Sequence, residues 1–289
     1  MSILDFQPLA DVANNLIDKL SLAVGWFFTR ESLKDQALTT YVDEIKNSND
    51  PPLVKAAKIN AAKKTIKEYM NQVNIVDVAL QNITDSNRIN DVDNDWLALF
   101  MDMARIISSE EFQLIWGKIL AEECNEPGCI PKGALSILQR MDKDDAYTLA
   151  KLASLTVNIC GDDTPYVVDS VFRDVNSDTN IYKRAGITFD DLTQLEALGI
   201  IRIDLGGYRD AYAVSVDEKF RNRIEIRYFD EEMIVESYIT EVPAGSALYT
   251  KDGKGLYRAL QPRKVEGFWE QLIVPILKQR IKDMENSTR

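Results

Sequence analysis

Three groups of side chains in this 289-residue chain have the types and spacing to do chemistry. Glu122 and Glu123 close the stretch DWLALFMDMARIISSEEFQLIWGKILAEE, and Glu126 follows them just before a Pro-Gly pair at 127–128. Paired carboxylates serve as general acid and base when their surroundings pull their pKa values apart. At a helix end they more often form a hydrated face, and negative charge there is mildly unfavourable. The expectation is a hydrated face, with a catalytic or partner-binding role as the alternative and Lys63 and Lys64 as internal counter-charges. Asp91, Asp93 and Asp95 form D-x-D-x-D, the opening of a calcium loop, but Trp96 stands where the loop needs Gly and Asp102 where it needs a bidentate Glu. They read as an acidic linker leading to a helix N-cap. Cys124 and Cys129 form C-x4-C, and with Cys160 as the remaining thiol a four-ligand zinc site would have to recruit carboxylates. Free thiols are the expectation.

Composition narrows the classes further. The chain has no histidine, which removes Ser-His-Asp and Cys-His catalysis and imidazole ligation of zinc. The Gly-Lys-Gly at 253–255 lacks the spacing and the Ser/Thr of a phosphate-binding loop and reads as a turn. No catalytic, cofactor-binding or metal-binding residue is assigned, and the chain is expected not to be an enzyme. A net charge of −12 argues against binding nucleic acid or anionic lipid through the mean field. Charge is unevenly spread: Lys55, Lys58, Lys63, Lys64 and Lys67 face only Glu68 in 53–70, whereas 85–128 is strongly acidic. One region is suited to pair with the other, in the same chain or in a second copy. Three cysteines without a secretory leader imply a reduced, cytoplasmic setting, and LSLAVGWFF at 20–28 is too short to cross a bilayer.

The elements that must position these residues are mainly helical. Leu9, Val12, Ala13, Leu16, Ile17, Leu20, Val24 and Phe27 make one helical stripe over 9–28. A second helix is expected over 31–46, broken by NSNDPP, and a third over about 52–83, started by Pro51 and Pro52. Further helices are expected at 95–106, 109–124, 131–140 and 143–160, with Ser108 or Ser109 and Asp142 as N-caps. Beyond 186 the pattern changes to a helix stopped by Gly199, two strands around a Gly-Gly turn in IIRIDLGGYRDAYAVSV, a strand in RIEIRYF, and a closing helix kinked at Pro275. The fold class is thus mainly α with a smaller α+β C-terminal part. It comprises an N-terminal long-helix bundle (1–84), central helical hairpins (85–160) and a winged-helix-like C-terminal module (161–289).

A winged helix reads DNA by a basic recognition helix in the major groove. Between Ile187 and Ile201 there is no Lys or Arg, while Asp190, Asp191 and Glu196 are present, so DNA binding by that helix is not expected. Trp96 and Trp116, with Leu99, Phe100, Met103, Ile106, Phe112, Ile115, Ile119 and Leu120, lie on two helical faces that can meet across a corner at 107–109, which reads as core packing.

The central pattern, carried by Asp95, Trp96, Phe100, Ser109, Glu110, Glu111, Gln113, Trp116, Lys118, Ile119, Leu120, Ala121, Glu123, Pro127 and Gly128, resembles an uncharacterised bacterial family, the domain of unknown function numbered 2806. LIDKLSLAVGWFF and LYTKDGKGLYRAL fit the same family more weakly, and PGCIP replaces an expected PGSFS, putting Cys129 where a helix-capping Ser would sit. The resemblance implies a bacterial or prophage-borne cytosolic protein of the kind compared with abortive-infection proteins, and carries over no catalytic residue. The expected function is a non-enzymatic scaffold or sensor that self-associates and binds a protein partner. A transcription regulator using Arg202, Arg209, Arg221, Arg223 and Arg227 is the alternative. Peripheral membrane contact through 9–28 is weaker, because Asp11, Asp18 and Lys19 make a poor cationic face.

Overall fold

The computed structural model of the chain describes residues 7–27, 34–172, 180–211, 222–237 and 241–287. It is mainly helical, with antiparallel sheets confined to the later half. Two compact units form, Met1–Leu135 and Ser136–Arg289.

In the first unit, α1 (Gln7–Val24) buries Val12, Leu16 and Leu20 of the expected stripe, whereas Phe27, expected on the same stripe, lies beyond the helix and is exposed. Its Asn15 and Lys19 donate to the carbonyls of Ser86 and Asn90 in a 3-10 turn, Ser86–Asp91. The helix stops four residues short of the expected 28, because Gly25 takes φ +67 and turns Trp26 back toward the protein; Phe28 itself lies outside the described residues. α2 (Lys34–Asn47) and α3 (Pro52–Leu80) follow, with Pro at the first turn of α3. α4 (Asn94–Ala104) is N-capped by Asp93, and α5 (Glu110–Asn125) starts after Ser109.

Packing differs from a simple α4–α5 hairpin. α5 lies chiefly along the second half of α3, and α4 along α1. α3 and α5 run parallel: Asn71 and Asn74 meet Gln113, Val78 meets Gly117, and Asn82 and Thr84 meet Asn125. Gly117 permits this approach, since a Cβ there would sit 2.4 Å from Val78 Cβ and 2.8 Å from the Ile75 carbonyl oxygen. Across the α4–α5 corner the link is Phe100, whose ring stacks on Trp96 at 5.1 Å and tilts against Trp116 at 5.3 Å. Such aromatic pairs contribute about 0.5–1.5 kcal/mol each beyond their burial. α6 (Lys132–Arg140) spans the boundary between the units.

The second unit opens with α7 (Lys143–Ala153), held at its start by reciprocal bonds between Asp142 and Asp145. The helix expected to reach 160 ends at 153. Thr156, Val157 and Ile159 are β-branched, and the segment forms β1 (Thr156–Ile159), turning through Cys160 (φ +50) and Gly161 (φ +94) into β2 (Asp162–Pro165). Two central residues at positive φ are what a tight hairpin requires. After α8 (Asp169–Phe172) come α9 (Ile181–Ala185) and α10 (Phe189–Leu198), joined at Gly186 and capped by Thr188. Then follow β3 (Ile201–Ala211), β4 (Asn222–Tyr228), β5 (Glu231–Ser237), β6 (Glu241–Tyr249), α11 (Lys251–Arg258) and α12 (Val274–Ser287). One antiparallel sheet has the order β2-β1-β4-β5, and β3 pairs with β6 in a second.

The hairpin expected within 201–216 is not formed. Residues 201–211 are one strand, Gly206 and Gly207 fall in a bulge between Ile203↔Ala247 and Tyr208↔Gly245, and the partner strand is β6; residues 212–216 lie outside those described. The partner strand β6 is buried at every residue of Val242–Ala247, and of these only Ser246 carries a polar side chain. A helix–turn–helix leading into an antiparallel strand pair is nonetheless present. Before α12 the chain makes a wide helical turn at Phe268–Ile273, where Pro275 supplies no N–H for the Gln271 carbonyl.

Candidate functional site

Glu122, Glu123 and Glu126 do not converge on one site. Glu123 is 1% exposed and turns inward. Its Oε1 accepts the Gly128 amide at 2.7 Å and its Oε2 the Ile130 amide at 2.8 Å, so that one side chain gathers the whole Pro-Gly turn. Trp96 completes the latch by donating its Nε1–H to the Ile130 carbonyl at 2.8 Å. Burial pushes the Glu123 carboxyl above the ordinary carboxylate range, and the negative charge of Asp93 adds to this, against the pull of the two amides and the Cys129 thiol. Glu122 is half-buried and Glu126 exposed, so the hydrated-face reading holds for Glu126 and fails for Glu123. Glu123 follows Trp116, Ile119 and Leu120 on one helical face, a legible sign that it points inward.

Lys63 and Lys64 are not its counter-charges. Because α3 and α5 run parallel, the glutamate end of α5 meets Asn82 and Thr84 at the end of α3. The lysines lie toward the opposite end, where Glu68 pairs with Arg105 at 2.9 Å and with Lys64 at 3.8 Å.

Asp93 accepts the Trp96 amide at 2.7 Å, the N-cap role expected of the D-x-D-x-D run, and this bond with nearby Lys132 holds its carboxyl below the usual range. Asp91 and Asp95 are exposed. Cys124 is buried and its thiol is pushed up to about 12 by burial; Cys129 is half-buried, its thiol 3.6 Å from the Glu122 carbonyl. Among the described residues no group of three Cys, Asp or Glu side chains is arranged to hold a metal ion, and no described helix is long and apolar enough to cross a membrane.

The Gly-Lys-Gly at 253–255 lies in the first turns of α11, not in a loop. Thr250 Oγ1 accepts the Gly253 amide at 3.0 Å and donates to the Gly199 carbonyl at 2.6 Å. A Cβ on Gly253 would lie 1.9 Å from the Ile200 carbonyl oxygen, so the glycine is there to let α11 touch the α10–β3 corner. Tyr249 and Tyr257 stack at 5.2 Å beside it, and Tyr249 Oη lies 2.9 Å from Thr156 Oγ1.

Sequence reasoning missed an open cleft of about 540 Å³ in the first unit, walled by Trp26, Phe27 and Tyr69 and bordered by Gln72, Asp102 and Arg105. Trp26 Nε1 donates to Gln72 Oε1 at 3.2 Å, and Arg105 is tied to both Asp102 and Glu68 at 2.9 Å. The Trp26-Phe27 pair after Gly25 was the available signal, since a left-handed glycine at a helix end redirects the residues that follow.

The architecture defines a two-unit helical and α+β protein whose most distinctive side chains are spent on a structural latch. The chain belongs to the family described as protein of unknown function, DUF2806, whose model matches residues 57–273. No curated protein and no solved structure matches it.

Proposed function

We propose that this is a non-enzymatic cytoplasmic scaffold or sensor of bacteria or prophage, acting by self-association and by binding a protein partner, in anti-phage defence of the abortive-infection type. The observation that carries the reading is how the candidate chemical groups are used: Glu123 is consumed by the amides of Gly128 and Ile130, and Asp93 by that of Trp96. What is left accessible is a contact surface. Lys63 and Lys67 are exposed on α3 and enter no ion pair with a described residue, and Leu22, Phe27 and Leu53 are each more than three-quarters exposed. Light scattering of the purified chain, with co-purification during phage challenge, tests the proposal. An oligomer that retains a protein partner is the expected outcome; a monomer that retains nothing refutes it.

The second reading is a transcription regulator, favoured by the α9–α10 turn and the β3–β6 pair. Its arginines give little support. Arg227 is tied to Glu225 and Glu232, the Arg209 side chain and all of Arg221 lie outside the described residues, and α10 exposes Asp190 and Glu196. Arg202 and Arg223 remain exposed. Salt-dependent retention of the full chain on duplex DNA is its minimum requirement.

A further inference from the structure

We propose that α2 and the first half of α3 dock against the same two segments of a second copy of this chain, completing an antiparallel four-helix bundle. This rests on the reading just given, that the protein self-associates, and names the surface. Along α3, Ile59, Ala62, Ile66, Tyr69, Val73, Val76 and Leu80 recur at alternating spacings of three and four, the seam of a helical bundle. Val73, Val76 and Leu80 are buried in the second half of α3, the half along which α5 lies, whereas Ile59, Ala62, Ile66 and Tyr69 stay half-buried. The described element that packs on α3 there is α2, whose Leu38 and Val42 are half-buried and Ile45 buried, while Tyr69 lies against Trp26 at 5.9 Å. Two helices leave one side of such a seam to solvent; four close it.

Charge selects a second copy as the occupant. On α2 and the turn after it the sequence has Asp35, Asp43, Glu44 and Asp50 against Lys34 and Lys46, while residues 52–67 of α3 carry Lys55, Lys58, Lys63, Lys64 and Lys67 and no acid. A two-fold axis that sets α2 of each copy against α3 of the other juxtaposes the acidic helix with the basic one twice, so one surface is complementary to itself. Glu44, Lys63 and Lys67 are exposed and enter no ion pair with a described residue of their own chain. Two helices about 24 Å long and about 10 Å wide present roughly 500 Å² per copy. The total of roughly 1,000 Å² is at the low end for a specific interface, so the dimer is expected to be reversible.

Sedimentation equilibrium of the full chain over a concentration series tests this. The wild type is expected to be a monomer–dimer mixture. Lys63→Glu/Lys67→Glu and, separately, Asp43→Lys/Glu44→Lys are each expected to weaken the dimer at least tenfold, and an equimolar mixture of the two variants to restore it as a heterodimer. All four positions are exposed, and circular dichroism verifies that each variant is folded. An oligomer indifferent to both charge reversals, or not rescued by mixing, overturns this interface while leaving self-association standing. A wild type that stays monomeric at the highest concentration overturns the interface and self-association together; the partner-binding half of the functional reading is then decided by its own co-purification test.

Discussion

Replacing Glu123 tests whether the most suggestive carboxylate of the chain is a structural latch. Glu123→Ala strips an acceptor from two amides. The Ile130 amide is buried, and leaving such a donor unsatisfied costs about 1–3 kcal/mol. The Gly128 amide is partly reached by water and costs less, and the small void adds to the loss. A total of about 2–4 kcal/mol is expected, offset in part by relief of a buried charge. Glu123→Gln keeps the shape but turns an N–H toward an N–H, for about 1–3 kcal/mol. At roughly 2–4 °C per kcal/mol the alanine variant should melt about 5–15 °C below the wild type by scanning calorimetry. The pH dependence has a definite sign. Burial raises the Glu123 pKa in the folded state, so its contribution is full below the ordinary carboxylate range and declines as pH rises through the raised value. The gap between wild type and Glu123→Ala should therefore be wider near pH 4 than at pH 7.5. An alanine variant within about 0.5 kcal/mol of wild type, set against the 1–3 kcal/mol of an orphaned amide, refutes the latch. A gap that widens with rising pH refutes the assignment of the titration.

Three further expectations concern other parts of the fold. Trp96→Phe and Trp116→Phe remove similar volumes, but Trp96 donates to Ile130 while the buried Trp116 Nε1 has no hydrogen-bond partner among the described residues, so urea titration should find Trp96→Phe costlier by about 1–2 kcal/mol. Gly253→Ala should leave the second unit largely unfolded by circular dichroism, because its methyl would collide with the Ile200 carbonyl, whereas Thr250→Ala, losing the cap on Gly253 and the bond to the Gly199 carbonyl, should cost about 1–3 kcal/mol. Alkylation at pH 8 followed by peptide mapping should label Cys129 and Cys160 before Cys124, whose thiol is buried and pushed up to about 12; labelling of Cys124 at a rate equal to the others contradicts that placement.

Local periodicity made most of the helical part legible. The stripe of Val12, Leu16 and Leu20, the Asp142 cap and the aromatic faces of α4 and α5 follow from spacing alone. Tertiary choices were not legible. The parallel course of α3 and α5, which separates Lys63 and Lys64 from Glu123, depends on Gly117 meeting Val78, residues far apart in sequence. The Gly-Gly pair at 206–207 resembles a hairpin turn, but a better strand partner more than thirty residues on converts it into a bulge. Thr156–Ile159 fits the period of the preceding helix as well as that of a strand, because short runs fit both, and the positive-φ turn at Cys160 and Gly161 decides for strand.

α3 passes without a break from its half-covered start to its buried end, where Asn71 donates to the Arg105 carbonyl and Gln113 bridges Asn71 to Ile107. Leu53 and Asn71 are thus joined by about 27 Å of rigid rod, at 1.5 Å per residue. Such a rod acts as a lever: whatever grips its outer end applies torque to the loop at 105–107, with no joint in between to absorb it.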